Sequence, residues 1–274
     1  MAQNLHKKES KEGGLKVARK VLKNKPLIES LFEMRWELQK SGPGLLVDPH
    51  YKIIIGRIYD KLNLEYPYHE NLPASSIPEE MVGYIVQHRF RKNKEEWPLV
   101  QLGPGIITVN DTTGYIWEDF EKRILEAIKV LFEVYPDSQN NLKINSLILR
   151  YIDGINFNFE KDNIFEFLVN NMKTKIELCP ELFKTTGVKI LPFGFDLRFS
   201  FNSLNPVGVV NLRFIKGKLK DSDALIWETM IQSISNDFSK NINKSIQEWL
   251  TKAHDLTDYW FFKLIEGNLE RRFE

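Results

Sequence analysis

Four segments repeat one tripeptide type, an apolar residue, then arginine, then an aromatic: Met34-Arg35-Trp36, Leu149-Arg150-Tyr151, Leu197-Arg198-Phe199 and Leu212-Arg213-Phe214. Successive side chains of a strand point to opposite faces, so the repeat dictates a sheet with one apolar and one arginine-bearing side. Phe32, Met34, Trp36, Leu147, Leu149, Tyr151, Phe195, Leu197, Phe199, Leu212 and Phe214 then share the core face. Arg35, Arg150, Arg198 and Arg213 fall on the other, with Glu33, Glu37, Ile148, Ile152, Asp196, Ser200, Asn211 and Ile215. Two readings of this second face stand. In one it is solvated, its arginines paired with Glu33, Glu37 and Asp196 in bridges of little individual worth. In the other it presents planar guanidinium groups to an acidic protein, a phosphate-bearing ligand or single-stranded nucleic acid. Sheet-stacking recognition of RNA needs aromatics beside the arginines. Here the aromatics lie on the opposite face, which sets a protein partner, self-association, or packing of two half-sheets ahead of nucleic acid.

The remaining periodicity fills in an α+β chain. Phe32 to Leu38 alternates as a strand, and Tyr51 to Leu62 carries Ile54, Ile55, Ile58 and Leu62 at helical spacing. A loop holding Pro67, Pro73 and Pro78 follows, then a strand over Ile85 to Phe90 and a hairpin from Pro98 to Asn110 turning at Gly103-Pro104-Gly105. Tyr115 to Tyr135 is a helix with Glu118 and Asp119 in its first turn and Pro136 after its end. Leu142 to Phe159 is a long strand. Beyond it the pattern gives a helix from Asn163 through Met172, strands near Val188 to Asn202, Val207 to Lys216 and Leu225 to Ser233, and a closing helix from Phe238 to Ile265. This order suggests antiparallel sheets with helices on one face, arranged as two ferredoxin-like halves packed together. The expected organisation is a basic arm over residues 1–24, a first α+β subdomain over 25–160 and a second over 161–274, with no Pro, Gly or Ser-rich linker between them. Of 274 residues, 42% are hydrophobic and 27% charged, enough apolar material for one large or two small cores.

A formal net charge of +1 conceals a split. Lys7, Lys8, Lys11, Lys16, Arg19, Lys20 and Lys23 against Glu9 and Glu12 give the arm +5, and the remaining 31 basic and 35 acidic residues give the body −4. The arm suits a phosphate backbone, with one salt-dependent contact per engaged side chain. It equally suits docking on the acidic body, or a partner protein through Leu15, Val21 and Leu22. A single cysteine, Cys179, forms no internal disulfide and no thiolate metal site, and no stretch has the length of a signal peptide or a membrane span. A cytoplasmic protein away from the membrane is therefore expected.

Lys25-Pro26-Leu27-Ile28-Glu29-Ser30 leading to Phe32-Glu33-Met34-Arg35-Trp36 resembles the opening of a functionally uncharacterised, sporadically distributed prokaryotic family. Pro98 to Gly105 with Val109-Asn110, the Tyr115 and Trp117 pair, Leu149-Arg150-Tyr151-Ile152-Asp153 and Ala253-His254 resemble its further motifs in order, so the resemblance covers nearly all of Lys25 to Glu274. It implies no reaction and no cofactor; by analogy, sporadic distribution fits an accessory role such as genome defence or a toxin and antitoxin pair.

Candidates for chemistry are few. Asn110, Tyr115 and Trp117 cluster at the turn into the second helix, either as an anion-binding helix start or, more simply, as a cap from Asn110 or Thr113 with aromatics wedging helix onto sheet. Gly103-Pro104-Gly105 lacks the lysine and helix of a P-loop. His6, His50, His69, His88 and His254 show no zinc spacing. His254 reads as a helix residue hydrogen-bonded at a subdomain contact, and Glu33 with Arg35, and Arg150 with Asp153, read as strand-face or strand-end pairs. These observations point to a non-catalytic interaction or regulatory protein without cofactor, acting on a protein partner or as a homodimer. The alternative is a nucleotide- or nucleic-acid-binding protein or enzyme using the arginine face and the arm.

Overall fold

The computed structural model describes residues 20–112, 114–234 and 242–274. In chain order the elements are β1 (Leu27–Trp36), β2 (Gln39–Gly42), β3 (Leu45–Val47), α1 (Tyr51–Leu62), β4 (Tyr68–Asn71), β5 (His88–Arg91), β6 (Leu99–Gly103), β7 (Ile106–Asp111) and α2 (Trp117–Val134). There follow α3 (Ser138–Asn141), β8 (Ile144–Asn156), α4 (Ile164–Asn171), β9 (Asp196–Leu204), β10 (Val207–Leu219), β11 (Ser222–Ile234), α5 (Ile242–Ile265) and α6 (Asn268–Phe273). Nine strands form one antiparallel sheet in the order β4-β5-β6-β7-β1-β8-β11-β10-β9, and β2 and β3 form a separate hairpin.

Alternation decides which side of this sheet is core. Phe32, Met34 and Trp36 of β1 stand beside Leu149, Leu147 and Ile144 of β8, and β8 in turn sets Leu149 against Ile231 and Leu147 against Ser233 of β11. On that face Ile54 and Ile58 of α1, Phe120, Ile124 and Leu131 of α2, and Ile246, Leu250 and Ala253 of α5 close the first core. A second core joins Leu212, Phe214, Leu225 and Trp227 to Leu168 of α4, Ile265 of α5 and Leu269 and Phe273 of α6. Trp260 packs against both cores, so the helix layer is continuous. The β6–β7 turn needs glycine twice: Gly105 sits at φ +75°, and a Cβ on Gly103 would lie 2.0 Å from the Ile85 carbonyl oxygen.

The helices on one face and the α+β class are as expected; the junction of the halves differs. Residues 25–160 and 161–274 meet edge to edge within one sheet, because β8 is hydrogen-bonded to β1 on one side and β11 on the other. The proline-bearing loop contains an edge strand, β4, bracketed by Pro67 and Pro73. β9 starts at Asp196, later than Val188, since Gly187, Pro192 and Gly194 keep the preceding segment out of the ladder. The strand expected from Ile85 starts only at His88, after Gln87 has bonded the Ala74 carbonyl. The expected helix start at Phe238 lies outside the described residues, as do Lys7, Lys8, Lys11, Lys16 and Arg19 of the arm, His6 and Thr113. Among the described residues no helix is long and apolar enough to cross a membrane.

Leu149, fully buried at the centre of β8 between Phe32 and Ile231, gives a direct test of this single sheet. Leu149→Ala should cost about 2 to 5 kcal/mol, seen as a lower urea midpoint at unchanged slope; a loss within about 0.5 kcal/mol would contradict its position.

Candidate functional site

The period-two rule that puts Leu147 and Leu149 in the core also carries Tyr151 and Asp153 to the helix side of β8, opposite Thr229 and Trp227 of β11. Above them α5 presents His254, Thr257, Asp258 and Phe261, residues three, four and seven positions apart and so on one helical face. The turn before α2 brings Tyr115, and its first turn Trp117 and Glu118. Between these elements lies a cavity of about 170 Å³, closed by the segment Lys20 to Leu27. That segment is tied down at several points. Leu22 is buried in the second core, the Asn24 amide donates to the Phe273 carbonyl at 2.9 Å, and the Gly154 amide donates to the Pro26 carbonyl at 2.9 Å. Lys20 Nζ lies 2.8 Å from Glu270 Oε1 and also pairs with Glu274, and the Lys25 ammonium donates to the Tyr115 carbonyl.

The polar groups of the wall form a short chain. Tyr115 Oη and Tyr151 Oη are 2.9 Å apart, and Tyr151 Oη is 3.1 Å from His254 Nδ1. The His254 ring stacks on Trp117 at 3.8 Å with 9° between planes. Burial pushes both phenols well above their ordinary range, so they stay protonated. Asp153 is different. It is 3% exposed and has no hydrogen bond or ion pair with any described residue, and burial alone raises its carboxyl to about 8. A buried carboxyl without a compensating partner is costly, and such groups concentrate at sites of function.

His254 is thus a helix residue hydrogen-bonded where α5 meets the sheet, as expected. Tyr115 and Trp117 also belong to this site, but Asn110 does not. It lies on the other face, where Arg89 Nε donates to Gln101 Oε1 at 3.0 Å, Gln101 to Thr108 and Asn110 at 3.2 Å, and Asn110 Nδ2 to Glu29 Oε1 at 2.6 Å. No side chain caps α2 at Ile116. The proposed Arg150 and Asp153 pair is also corrected: three residues apart on a strand, they point to opposite faces. Arg150 instead lies 3.8 Å from Glu228. Asp153 was the residue hardest to see, although its alternation with Tyr151 was the available signal.

Arg35, Arg150, Arg198 and Arg213 do share the helix-free face, as their ladder positions require. Arg35 Nε is 2.6 Å from Glu33 Oε1, and Arg213 Nε donates to Asp196 Oδ1 at 2.7 Å. Arg198 stands directly opposite Arg213, and Glu37 falls beyond the end of β1. Of the arm, Lys20 ends at the cavity and Lys23 belongs to the closing segment. Elsewhere the fold joins two histidines that sequence spacing had left apart: His69 Nε2 and His88 Nδ1 are 3.0 Å apart across β4 and β5, and burial lowers the His88 pKa. Among the described residues no three His, Cys, Asp or Glu side chains gather as a metal site. No protein-family model matches the chain, and no curated protein matches it.

Asp153 makes stability depend on pH. The unfolded carboxyl titrates near 3.8 and the folded one at about 8, so between those values the folded state holds the extra proton. Its contribution to stability therefore falls as pH rises through the window, by at most about 1.4 kcal/mol per pH unit. Asp153→Asn should abolish that fall, read as denaturant unfolding at about pH 5 and about pH 7. Equal losses in wild type and variant would show that Asp153 titrates normally.

Proposed function

We propose that this protein is a non-catalytic binding and regulatory component. A small ligand occupies the cavity between β8, α2 and α5, and the segment over residues 20–27 passes its occupancy to a protein partner. The supporting observation is Asp153, a buried carboxyl without a partner among the described residues, in the wall of an aromatic-lined cavity. Apolar and aromatic walls with a few convergent polar groups are the usual make-up of small-ligand sites. A covalent reaction centre asks for a nucleophile beside its base. Here no serine or cysteine lines the cavity among the described residues, and Thr257 commits its hydroxyl to the Ala253 and His254 carbonyls. The accessory, defence-type role rests on the family resemblance alone. The same reading takes β1, α1, β6, β7, α2 and β8, with strands in the order β6-β7-β1-β8, as one ferredoxin-like unit. The meander β9 to β11 extends it.

The nucleic-acid alternative draws less support. Arg35, Arg150 and Arg213 each lie beside a carboxylate, and the ring that meets one of them, Tyr84, is already covered by the Arg35 guanidinium at 5.3 Å. Titration of the full chain with benzylamine, benzyl alcohol and benzoate, probes of similar size and different charge, tests the ligand reading. At least one should raise Tm and change tryptophan fluorescence; no response to any of the three refutes it.

A second copy of the chain is the partner favoured by one edge of the sheet. β9 ends the sheet without proline, lysine or bulge, the usual devices against edge pairing, and its Phe199 and Phe201 are 39% and 47% exposed. Antiparallel pairing centred on Ser200 sets Phe199 against Phe201 of the second copy. The only charges of β9, Asp196 and Arg198, then meet Leu204 and Asn202, without like-charge contact. Light scattering should report a dimer that Phe199→Lys converts to monomer, and a wild-type monomer at all concentrations excludes this pairing.

A further inference from the structure

Resting on the ligand-binding reading above, we propose that the cavity takes a small organic cation with an apolar or aromatic body, and that Asp153 is its counter-ion. The size fits: a cavity of about 150 Å³ holds a benzene-sized molecule, and this one is about 170 Å³. The walls fit as well. Tyr115, Tyr151, Trp117, Phe261 and Phe262 line it, and aromatic rings attract cations through their electron-rich faces while accepting an apolar body.

The charge distribution selects the sign of the ligand. The titratable groups around the cavity are Tyr151 and Asp153 from β8, Tyr115 and Glu118 from the start of α2, His254 and Asp258 from α5, and Lys20 and Lys25 from the closing segment, while β11 brings only Thr229. Three of these are carboxylic acids. Lys20 pairs with Glu270 and Glu274, and Lys25, whose ammonium donates to the Tyr115 carbonyl and stands 5.8 Å from the centre of the Tyr115 ring, makes no ion pair with Asp153. Tyr151 bridges Tyr115 and His254. Asp153 alone of the wall's acids is buried without a partner among the described residues. A cationic ligand supplies the opposite charge that the fold leaves out, which an anion or a neutral body does not.

Charge balance gives the proposal a signature. The empty site holds a proton on Asp153 up to about pH 8, so a cation entering below that pH forms its ion pair with the carboxylate as the proton leaves to solvent. Binding should release about one proton per ligand, and affinity should rise with pH, up to about tenfold per unit, until the carboxyl is ionised. Burial holds the Tyr115 and Tyr151 phenols protonated throughout this window. Glu118, Asp258 and His254 also face the cavity, so the variant below assigns the slope.

The experiment is calorimetry of the full chain with benzylamine, benzyl alcohol and benzoate between about pH 6 and about pH 8, in buffers of different ionisation heat. Benzylamine should bind best at the upper end, weaken as pH falls and release about one proton. Benzyl alcohol should bind at least about tenfold more weakly without pH dependence, and benzoate should not bind. Asp153→Asn should remove the pH dependence of benzylamine and weaken it at least about tenfold, while keeping benzyl alcohol binding, which shows the cavity intact. If that variant does not fold, the preference of the wild type for the amine over the alcohol and the benzoate still decides the sign of the ligand. Alcohol or benzoate binding as tightly as the amine, or amine binding independent of pH, overturns the cation and leaves the ligand site standing. Silence from all three probes overturns both.

Discussion

The whole arrangement hangs on the register of β8. This strand is hydrogen-bonded to β1 along one edge and to β11 along the other, so it alone converts two stretches of chain into one sheet. Because side chains alternate, the register fixes more than connectivity. It delivers Leu147 and Leu149 to the helices, Arg150 to the opposite face, and Tyr151 and Asp153 to the space under α5. A slip of one residue would exchange these sets wholesale. The bulk of the surrounding core opposes the slip, since Phe32, Met34 and Ile231 have no other place to bury.

Strong periodicity was legible in the residues, and long-range neighbours were not. The span of α1, the β6–β7 hairpin and the common face of the four arginines follow from apolar spacing and turn chemistry. The joining of β8 to β11 does not, because pairing between strands distant in sequence leaves no local mark. β4 was hidden for a related reason. Its four residues lie between prolines and pair on one side only, so they show little of the alternation that a half-buried strand needs. The site was half visible. Tyr115, Trp117 and His254 stood out by type, but their convergence depends on α5 crossing β8, and Asp153 was matched with the nearest arginine in sequence when face parity assigns it to the interior.

The helix-free face solves another problem. Gln101, Thr108 and Asn110 are buried there without any helix above them, and the longer neighbours Arg89 and Glu29 reach over to hydrogen-bond Gln101 and Asn110. Each buried amide or hydroxyl is satisfied within the ladder, by Thr108 Oγ1 donating to Asn110 Oδ1 at 2.8 Å and by the contacts running from Arg89 to Glu29. The two sides of the sheet thus follow opposite rules. On the open side Gln101, Thr108 and Asn110 each have a neighbour. On the covered side one carboxyl has none.

Arg150 and Asp153 make the contrast concrete. They are separated by two residues, yet one carries its charge at a partly exposed surface and the other keeps its proton in the buried wall of a cavity. The pleat of β8 sorts the two groups onto opposite faces, so a single run of backbone serves both sides of the sheet. Glu228, Met230 and Arg150 all stand on the helix-free side. The surface this protein shows to others and the chemistry it keeps inside can therefore diverge separately, although they are written in alternate letters of the same strand.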